Sequence, residues 1–313
     1  MSPLLFVLLA LVLLTLISGC YVFVVGCVRR KELPWLVEEE IKKTAYGKYY
    51  RYIALADQWL RDNKAQDVYT TSEDGLRLHA LWIPAENPKG TVLLAHGYRS
   101  TKLCDFGMAY PYYHEHRMNI LVPDQRSHGE SEGRFITFGV KESRDMIQWI
   151  QYHNNTFGPQ QMILSGMSMG ASTMLYLADV ALPENVKGII ADCGFTSAKE
   201  ILSIVFKRTV HLPAAPSLWT ADLFARVLAG FSIYEKDTRK SLANAKLPVL
   251  LVHGTGDDFV PYQMSQQAYD VCCGEKQLLL VEGAGHGVSF VKDHETYSEM
   301  IYEFLKKNLE DFA

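Results

Sequence analysis

Residues 161–170, Gln-Met-Ile-Leu-Ser-Gly-Met-Ser-Met-Gly, constrain this chain more than any other stretch. An apolar run leads straight into Gly166-Met167-Ser168-Met169-Gly170, and a helix-forming segment, Ala171 to Leu182, follows at once. The pattern predicts a strand, a sharp turn and a helix in immediate succession. Glycine on either side of the serine lets the backbone turn tightly and leaves the hydroxyl standing clear of the sheet. Ser168 then opens the helix, and the backbone N–H of Met169 points to where a developing oxyanion would sit. The pentapeptide alone is weak evidence, because glycine and serine are common in loops. Its strand–turn–helix context gives it weight.

The same rhythm extends along the chain. Val68 to Pro84 alternates around Ser72-Glu73-Asp74-Gly75 and reads as a hairpin. Thr91 to Ala95, Asn119 to Pro123, Val186 to Cys193, Pro248 to Val252 and Gln277 to Val281 are apolar runs of the kind buried parallel strands need. Phe106 to Arg117, Gly139 to Phe157, Tyr262 to Val271 and Val291 to Leu309 read as helices. The expectation is an α/β fold: a mostly parallel, eight-stranded sheet with helices on both faces. One interval, Ala198 to Leu247, is too long for a simple crossover and unusually apolar, with Trp219, Leu223, Phe224, Val227 and Leu228 among its residues. It predicts a helical cap over the carboxyl edge of the sheet, where ligands bind in such folds, and so a substrate with a greasy acyl or alcohol group.

From Pro3 to Val28 there is no charged residue, and about 26 residues at 1.5 Å each reach roughly 39 Å, enough to cross a bilayer. The chain therefore divides into an anchor with a basic flank (1–31), a juxtamembrane helical segment (32–66) and the main domain (67–313, cap 198–247). Arg29, Arg30 and Lys31 place the main domain on the cytoplasmic side by the positive-inside rule. A cleaved signal peptide is a rival reading, and Ile17-Ser18-Gly19-Cys20 resembles a lipoprotein box, which would make the domain extracytoplasmic. In the 32–66 segment a cluster of Tyr46, Tyr49, Tyr50 and Tyr52 suits either the membrane interface or packing on the main domain. A net charge of −4 and scattered basic residues give nucleic acid no footprint. The six cysteines contain no Cys-x-x-Cys pair, so neither a disulfide framework nor a zinc site is indicated, and the adjacent Cys272 and Cys273 read as buried thiols.

Two further segments supply chemistry. His253-Gly254-Thr255-Gly256-Asp257-Asp258 follows the seventh strand, and Gly283-Ala284-Gly285-His286-Gly287 follows the eighth. Ser168, Asp257 and His286 thus appear in the order nucleophile, acid, base, each just past the carboxyl end of a strand. A serine hydroxyl needs a base poised near neutrality, which imidazole supplies, and the carboxylate fixes the imidazole tautomer. Asp258 is the rival acid. The loop after the third strand, His96-Gly97-Tyr98, is expected to offer the backbone N–H of Tyr98 as a second oxyanion donor beside Met169, with His96 structural. His114 and His116 fall on different helix faces, which argues against a metal.

These motifs, together with Asp124-x-Arg126-x-His128-Gly129-x-Ser131, resemble the α/β-hydrolase superfamily of serine hydrolases across residues 68–310. Within it the chain looks like membrane-anchored bacterial esterase-like hydrolases, akin to the prolyl-oligopeptidase-type and lysophospholipase-type branches. The resemblance implies cleavage of carboxylic esters through an acyl-Ser168 intermediate with no cofactor or metal, and a structural role for Asp124, Arg126 and His128. Thioesters and amides use the same machinery, so a peptidase of the prolyl-oligopeptidase type is the alternative, and a non-catalytic binding protein on this fold is the rival from another class. The family usually has glycine at the position of Ser127, which leaves the local turn in question.

Overall fold

Eight strands, β1 (Gln66–Thr71), β2 (Arg77–Ile83), β3 (Gly90–Ala95), β4 (Met118–Pro123), β5 (Met162–Met167), β6 (Val186–Asp192), β7 (Val249–Gly254) and β8 (Lys276–Val281), form one sheet. Their order is β1-β2-β4-β3-β5-β6-β7-β8 in this computed structural model, which describes residues 2–31, 33–44 and 47–312. β1 and β2 pair as the expected hairpin, and β2 pairs antiparallel with β4. All other neighbours are parallel. Successive residues of a strand point to opposite faces, so a strand covered on both sides must be apolar throughout. β3 shows this: Val92 and Leu94 join one buried cluster with Tyr110, Phe290 and Phe304, while Leu93 and Ala95 join another with Met146, Trp149 and Met174.

Helices cover both faces, with boundaries that local chemistry explains. The segment read as one helix over Phe106 to Arg117 is two, Lys102–Phe106 and Tyr110–Glu115, because Gly107 closes the first and Pro111 sits in the opening turn of the second. The helix after β5 is shorter than expected, Met169–Leu175. At the C-terminal end Asp293 separates Ser289–Lys292 from His294–Asn308, its side chain accepting from the Thr296 N–H at 3.2 Å.

Between β6 and β7 the chain forms the helices Ala198–Val210, Ala215–Phe224 and Thr238–Leu242, with a π-turn at Ala225–Ala229. The N-terminal residues Pro3–Cys27 form one helix, long and apolar enough to cross a bilayer. Its second half does not stand free. Gly19, Val22, Phe23, Gly26 and Cys27 are buried, and the helix packs along Ala215–Phe224. Where it ends, Val28 pairs with Phe135, and the Arg29 guanidinium donates to the carbonyls of Gly129 and Ser131 at 2.7 Å each. In the following segment, Tyr50–Asp62 is helical, and Trp35, Ile41 and Ile53 bury one another. Tyr46 of the tyrosine cluster lies outside the described residues.

Candidate active site

The turn between β5 and the Met169–Leu175 helix is as tight as a backbone permits. A Cβ on Gly166 would lie 2.3 Å from the backbone of Gly170, and a Cβ on Gly170 would lie 1.8 Å from the Ala95 carbonyl oxygen. Ser168 takes φ 54 and ψ −114, a conformation of the sort that persists only where the surroundings over-determine it. Here the Ser168 N–H donates to the Asp192 carbonyl at 2.8 Å and the Ser172 N–H returns to the Ser168 carbonyl at 3.1 Å.

Three side chains converge on this turn. The Ser168 hydroxyl lies 2.9 Å from His286 Nε2, and His286 Nδ1 lies 2.7 Å from Asp257 Oδ2. With Nδ1–H donating to the carboxylate, Nε2 carries the lone pair that accepts the Ser168 O–H. Asp257 is buried and fully partnered: Oδ1 accepts the N–H groups of Phe259 and Val260 at 2.8 Å each, and Oδ2 also receives His253 Nε2–H at 3.2 Å. Burial by itself would raise the Asp257 pKa. The hydrogen bonds from His253 and His286 outweigh it and hold the carboxyl well below the ordinary carboxylate range. The neighbouring Asp258 is exposed and stands outside this line.

Met169 opens the helix directly after Ser168, Tyr98 lines the cavity beside Ser168 from the loop after β3, and among the described residues no protein acceptor takes the N–H of either. The Tyr98 loop is held from two sides. On one, half-buried Asp105 accepts the Gly97 N–H at 2.6 Å and the Ser100 hydroxyl. On the other, the Tyr98 hydroxyl donates to the Gly26 carbonyl at 2.8 Å and Arg99 to the Val25 carbonyl at 2.7 Å, both at the unsatisfied end of the N-terminal helix. Burial raises the Tyr98 pKa to about 12, so the phenol keeps its proton for that bond. No motif announces Asp105; it is legible only as an acidic residue in a first helical turn capped by Thr101.

The Asp124, Arg126 and His128 segment builds the wall behind this loop. Asp124 accepts from Lys102 and from His79 Nδ1 at 2.7 Å each. Arg126 donates twice to Asp145 at 2.6 Å each and twice to Asp74 at 2.9 and 3.0 Å. Ser127 has φ 65, the left-handed conformation that explains a usual glycine, and its hydroxyl donates to the Phe135 carbonyl at 2.9 Å. His96 is equally buried, its Nε2 accepting the Gln125 N–H at 3.0 Å.

His128 accepts the Arg99 N–H on Nε2 and donates from Nδ1 to the Arg126 carbonyl, each at 3.0 Å. Both bonds need the neutral ring, and burial, with His96 beside it, lowers the pKa from 6.5 to about 3. A lowered histidine pKa contributes stability that is complete above pH 6.5 and is lost as the pH falls toward 3. Between pH 6.5 and 5 that amounts to about 2 kcal/mol. A His128→Asn variant is therefore expected to lose about 2 kcal/mol less than the parent between pH 7.5 and 5.0 in urea unfolding. Equal losses would contradict this.

Among the described residues, two clusters bring possible metal ligands within 4.8 Å of one another: Cys193, Asp257 and His286, and Asp67, His79 and Glu130. In the first, both His286 nitrogens are engaged by Asp257 and Ser168. In the second, the His79 nitrogens face Asp124 and Asp67 at 2.7 and 2.9 Å, which leaves no lone pair for a metal once both donate. His114 and His116 bond the Pro84 and Tyr112 carbonyls separately. Cys272 is buried as expected, but Cys273 is exposed, because it follows the end of a helix and only one of two adjacent residues can face the core.

Beside Ser168 lies a cavity of about 430 Å³. Its walls differ from expectation. No residue of the 198–247 insertion lines it; the walls come from Tyr49, Tyr52 and Ile53 of the juxtamembrane segment, from Phe106 and Met108, and from the Phe290–Ile301 region. The buried apolar side chains of the insertion, Ile201, Leu202, Phe206 and Leu218 among them, instead pack with Phe23, Tyr98, Phe138, Met169 and Phe195.

The prolyl oligopeptidase family model matches residues 136–312, more than half of the chain. The chain belongs to the prolyl oligopeptidase family. The family and the sheet together make it an α/β hydrolase. This family member is 28% identical to the uncharacterized protein YqkD of Bacillus subtilis (strain 168) over 71% of its own length and 72% of the relative's. It is 24% identical to the uncharacterized protein YfhR of Escherichia coli (strain K12), covering 80% and 82%. An esterase of Pyrococcus furiosus shares the fold with a TM-score of 0.65 at 21% identity, over 80% of this chain and 94% of that one.

Proposed function

We propose that this hydrolase acts on carboxylic esters by acyl transfer to Ser168. The observation that carries the reading is the unbroken line of hydrogen bonds from Asp257 through His286 to Ser168, with 2.7 and 2.9 Å links, at a strained turn opening onto an apolar cavity. His286 takes the Ser168 proton as the hydroxyl oxygen attacks the ester carbonyl. The N–H groups of Tyr98 and Met169 stabilise the resulting oxyanion, and His286 returns the proton to the departing alcohol. Water then repeats the sequence on the acyl-serine. Asp257 holds the imidazole in the right tautomer throughout and stays ionised, in keeping with its depressed pKa. None of these steps uses a cofactor or metal, and the small-molecule substrate carries an apolar group that fits the cavity.

The domain arrangement belongs to the same proposal: an anchor at 1–31, a juxtamembrane segment at 32–66 and the hydrolase domain at 67–313. An intact Pro3–Cys27 helix is supported by the Ser18–Ser217 and Thr15–Thr220 hydrogen bonds, which cleavage before Cys20 would remove. The basic flank Arg29, Arg30 and Lys31 favours the cytoplasmic side for the domain.

Family membership keeps amide bonds as the second substrate class. A fluorophosphonate probe is expected to form an adduct on the peptide containing Ser168, and p-nitrophenyl esters with apolar acyl chains are expected to turn over faster than aminoacyl p-nitroanilides. An adduct elsewhere would remove the nucleophile from this reading, and a preference for the anilides would make the protein a peptidase.

A further inference from the structure

The part of the Pro3–Cys27 helix that touches nothing is too short to cross a bilayer. Residues 3–14 are exposed throughout, and twelve residues at 1.5 Å span only about 18 Å of the roughly 30 Å hydrocarbon core. The remainder must come from residues 15–27, one face of which is already occupied by the insertion and its neighbours, while Ile17, Tyr21 and Val24 stay exposed. Thr220 Oγ1 donates to the Thr15 carbonyl at 2.8 Å, the Ser18 and Ser217 hydroxyls are 2.7 Å apart, and a Cβ on Gly19 would lie 1.8 Å from Thr220 Oγ1. Gly19 and Thr15 precede Cys27 by eight and twelve residues, so these contacts sit about 12 to 18 Å up the helix axis from its inner end. A bilayer deep enough to take the helix therefore reaches the Ala215–Phe224 helix as well.

The outward face of the insertion suits that position. Trp219, Leu223 and Val227 recur every four residues along one stripe and are 66%, 53% and 73% exposed, with Leu228 beside them at 55%. The two charges in this stretch, Asp222 and Arg226, pair with each other at 2.7 Å, and the partly exposed Arg226 guanidinium also donates to the Ser232 hydroxyl at 3.0 Å. At the edge of the stripe a groove lined by Lys199, Ser203, Lys207, Trp219 and Tyr234 sets ammonium groups beside aromatic rings, the composition of a water–lipid boundary. A monomeric soluble surface seldom carries so continuous an apolar stripe.

We propose that the insertion face formed by Trp219, Leu223, Val227 and Leu228 is immersed in the lipid leaflet alongside the N-terminal helix, with lipid acyl chains as its partner. The inference rests on the anchor reading of residues 1–31 and is independent of the reaction chemistry. Immersion fixes the hydrolase domain's tilt against the membrane, because two packed elements, and not one tether, set its orientation.

The five tryptophans make the proposal measurable. Trp35, Trp82 and Trp149 are buried and Trp59 partly so, which leaves Trp219 as the exposed one. The full chain, incorporated into phosphatidylcholine–phosphatidylglycerol vesicles, is expected to float with them and to lose tryptophan emission when the lipids carry brominated acyl chains. Trp219→Phe should abolish most of that quenching while the chain still floats, and iodide in the water should not reach Trp219. Flotation with quenching unchanged by Trp219→Phe, or with Trp219 open to iodide, would overturn immersion and leave the anchor standing. Trp219 shielded from both quenchers would place protein on the stripe and also overturn it. Failure to float would remove anchor and immersion together.

Discussion

Ser168→Ala is expected to lower kcat on an activated ester by about 10⁶, with KM little changed, and to abolish fluorophosphonate labelling. The size follows from the arrangement. On the proposed mechanism, removing the hydroxyl removes the covalent intermediate, and what remains is ground-state binding plus the Tyr98 and Met169 donors, which alone leave a residual acceleration over water. His286→Ala should cost nearly as much, and the double variant scarcely more than either, because the two groups act as one unit. Alanine adds no atoms at a position whose backbone is fixed by the Asp192 carbonyl and by the adjoining glycines, so the fold is expected to survive. Retention of turnover within tenfold of the parent would show that Ser168 is not the nucleophile.

Asp257→Asn is the second large effect, a loss of about 10⁴ in kcat with the geometry preserved. In the parent both carboxylate oxygens accept: Oδ1 from the Phe259 and Val260 N–H groups, Oδ2 from His286 and His253. An amide keeps one acceptor. If its oxygen stays with the two backbone donors, its NH₂ faces His286 Nδ1, which must then accept, and the proton moves to Nε2. The ring is left unable to take the Ser168 proton. The check is a kcat measurement beside a circular dichroism spectrum and an unfolding curve. A folded Asp257→Asn variant with parental kcat would show that another group orients His286. Asp258→Asn serves as the contrast, since Asp258 is exposed and its loss should leave the rate within a factor of a few.

Much of the sheet was readable in advance because each parallel strand carries its own signal. Thr91 to Ala95 cannot be satisfied by one buried face, and its continuous apolar character requires layers above and below. The turn at Gly166-Met167-Ser168-Met169-Gly170 was legible for a similar reason: both glycines are demanded by backbone atoms a few residues away or on the adjoining β3 strand. Helix ends were less legible. The split at Gly107 and Pro111 and the early end of the Met169–Leu175 helix depend on caps whose residue types also occur inside helices.

The part that the juxtamembrane segment plays in the cavity was not readable. Tyr49, Tyr52 and Ile53 wall the cavity beside Ser168, although more than a hundred residues separate them from it and nothing in their spacing distinguishes a cavity wall from any other amphipathic helix. The insertion shows the converse. Its apolar composition suggested a cover over the substrate, but the same composition serves packing against Phe23 and an exposed stripe equally well, and composition does not say which neighbour a side chain will meet.

The sequence alone determined the alternation of strands and helices, the tight turn at Ser168 and the chain order of Ser168, Asp257 and His286, because each is written in local periodicity or in residues that only certain backbones accept. Tertiary structure decided which segments close the cavity, how Asp105 and the end of the N-terminal helix hold the Tyr98 loop between them, and which face of the insertion is left bare. Those outcomes are contacts between residues far apart in the chain, and each depends on the packing of every element that lies between them.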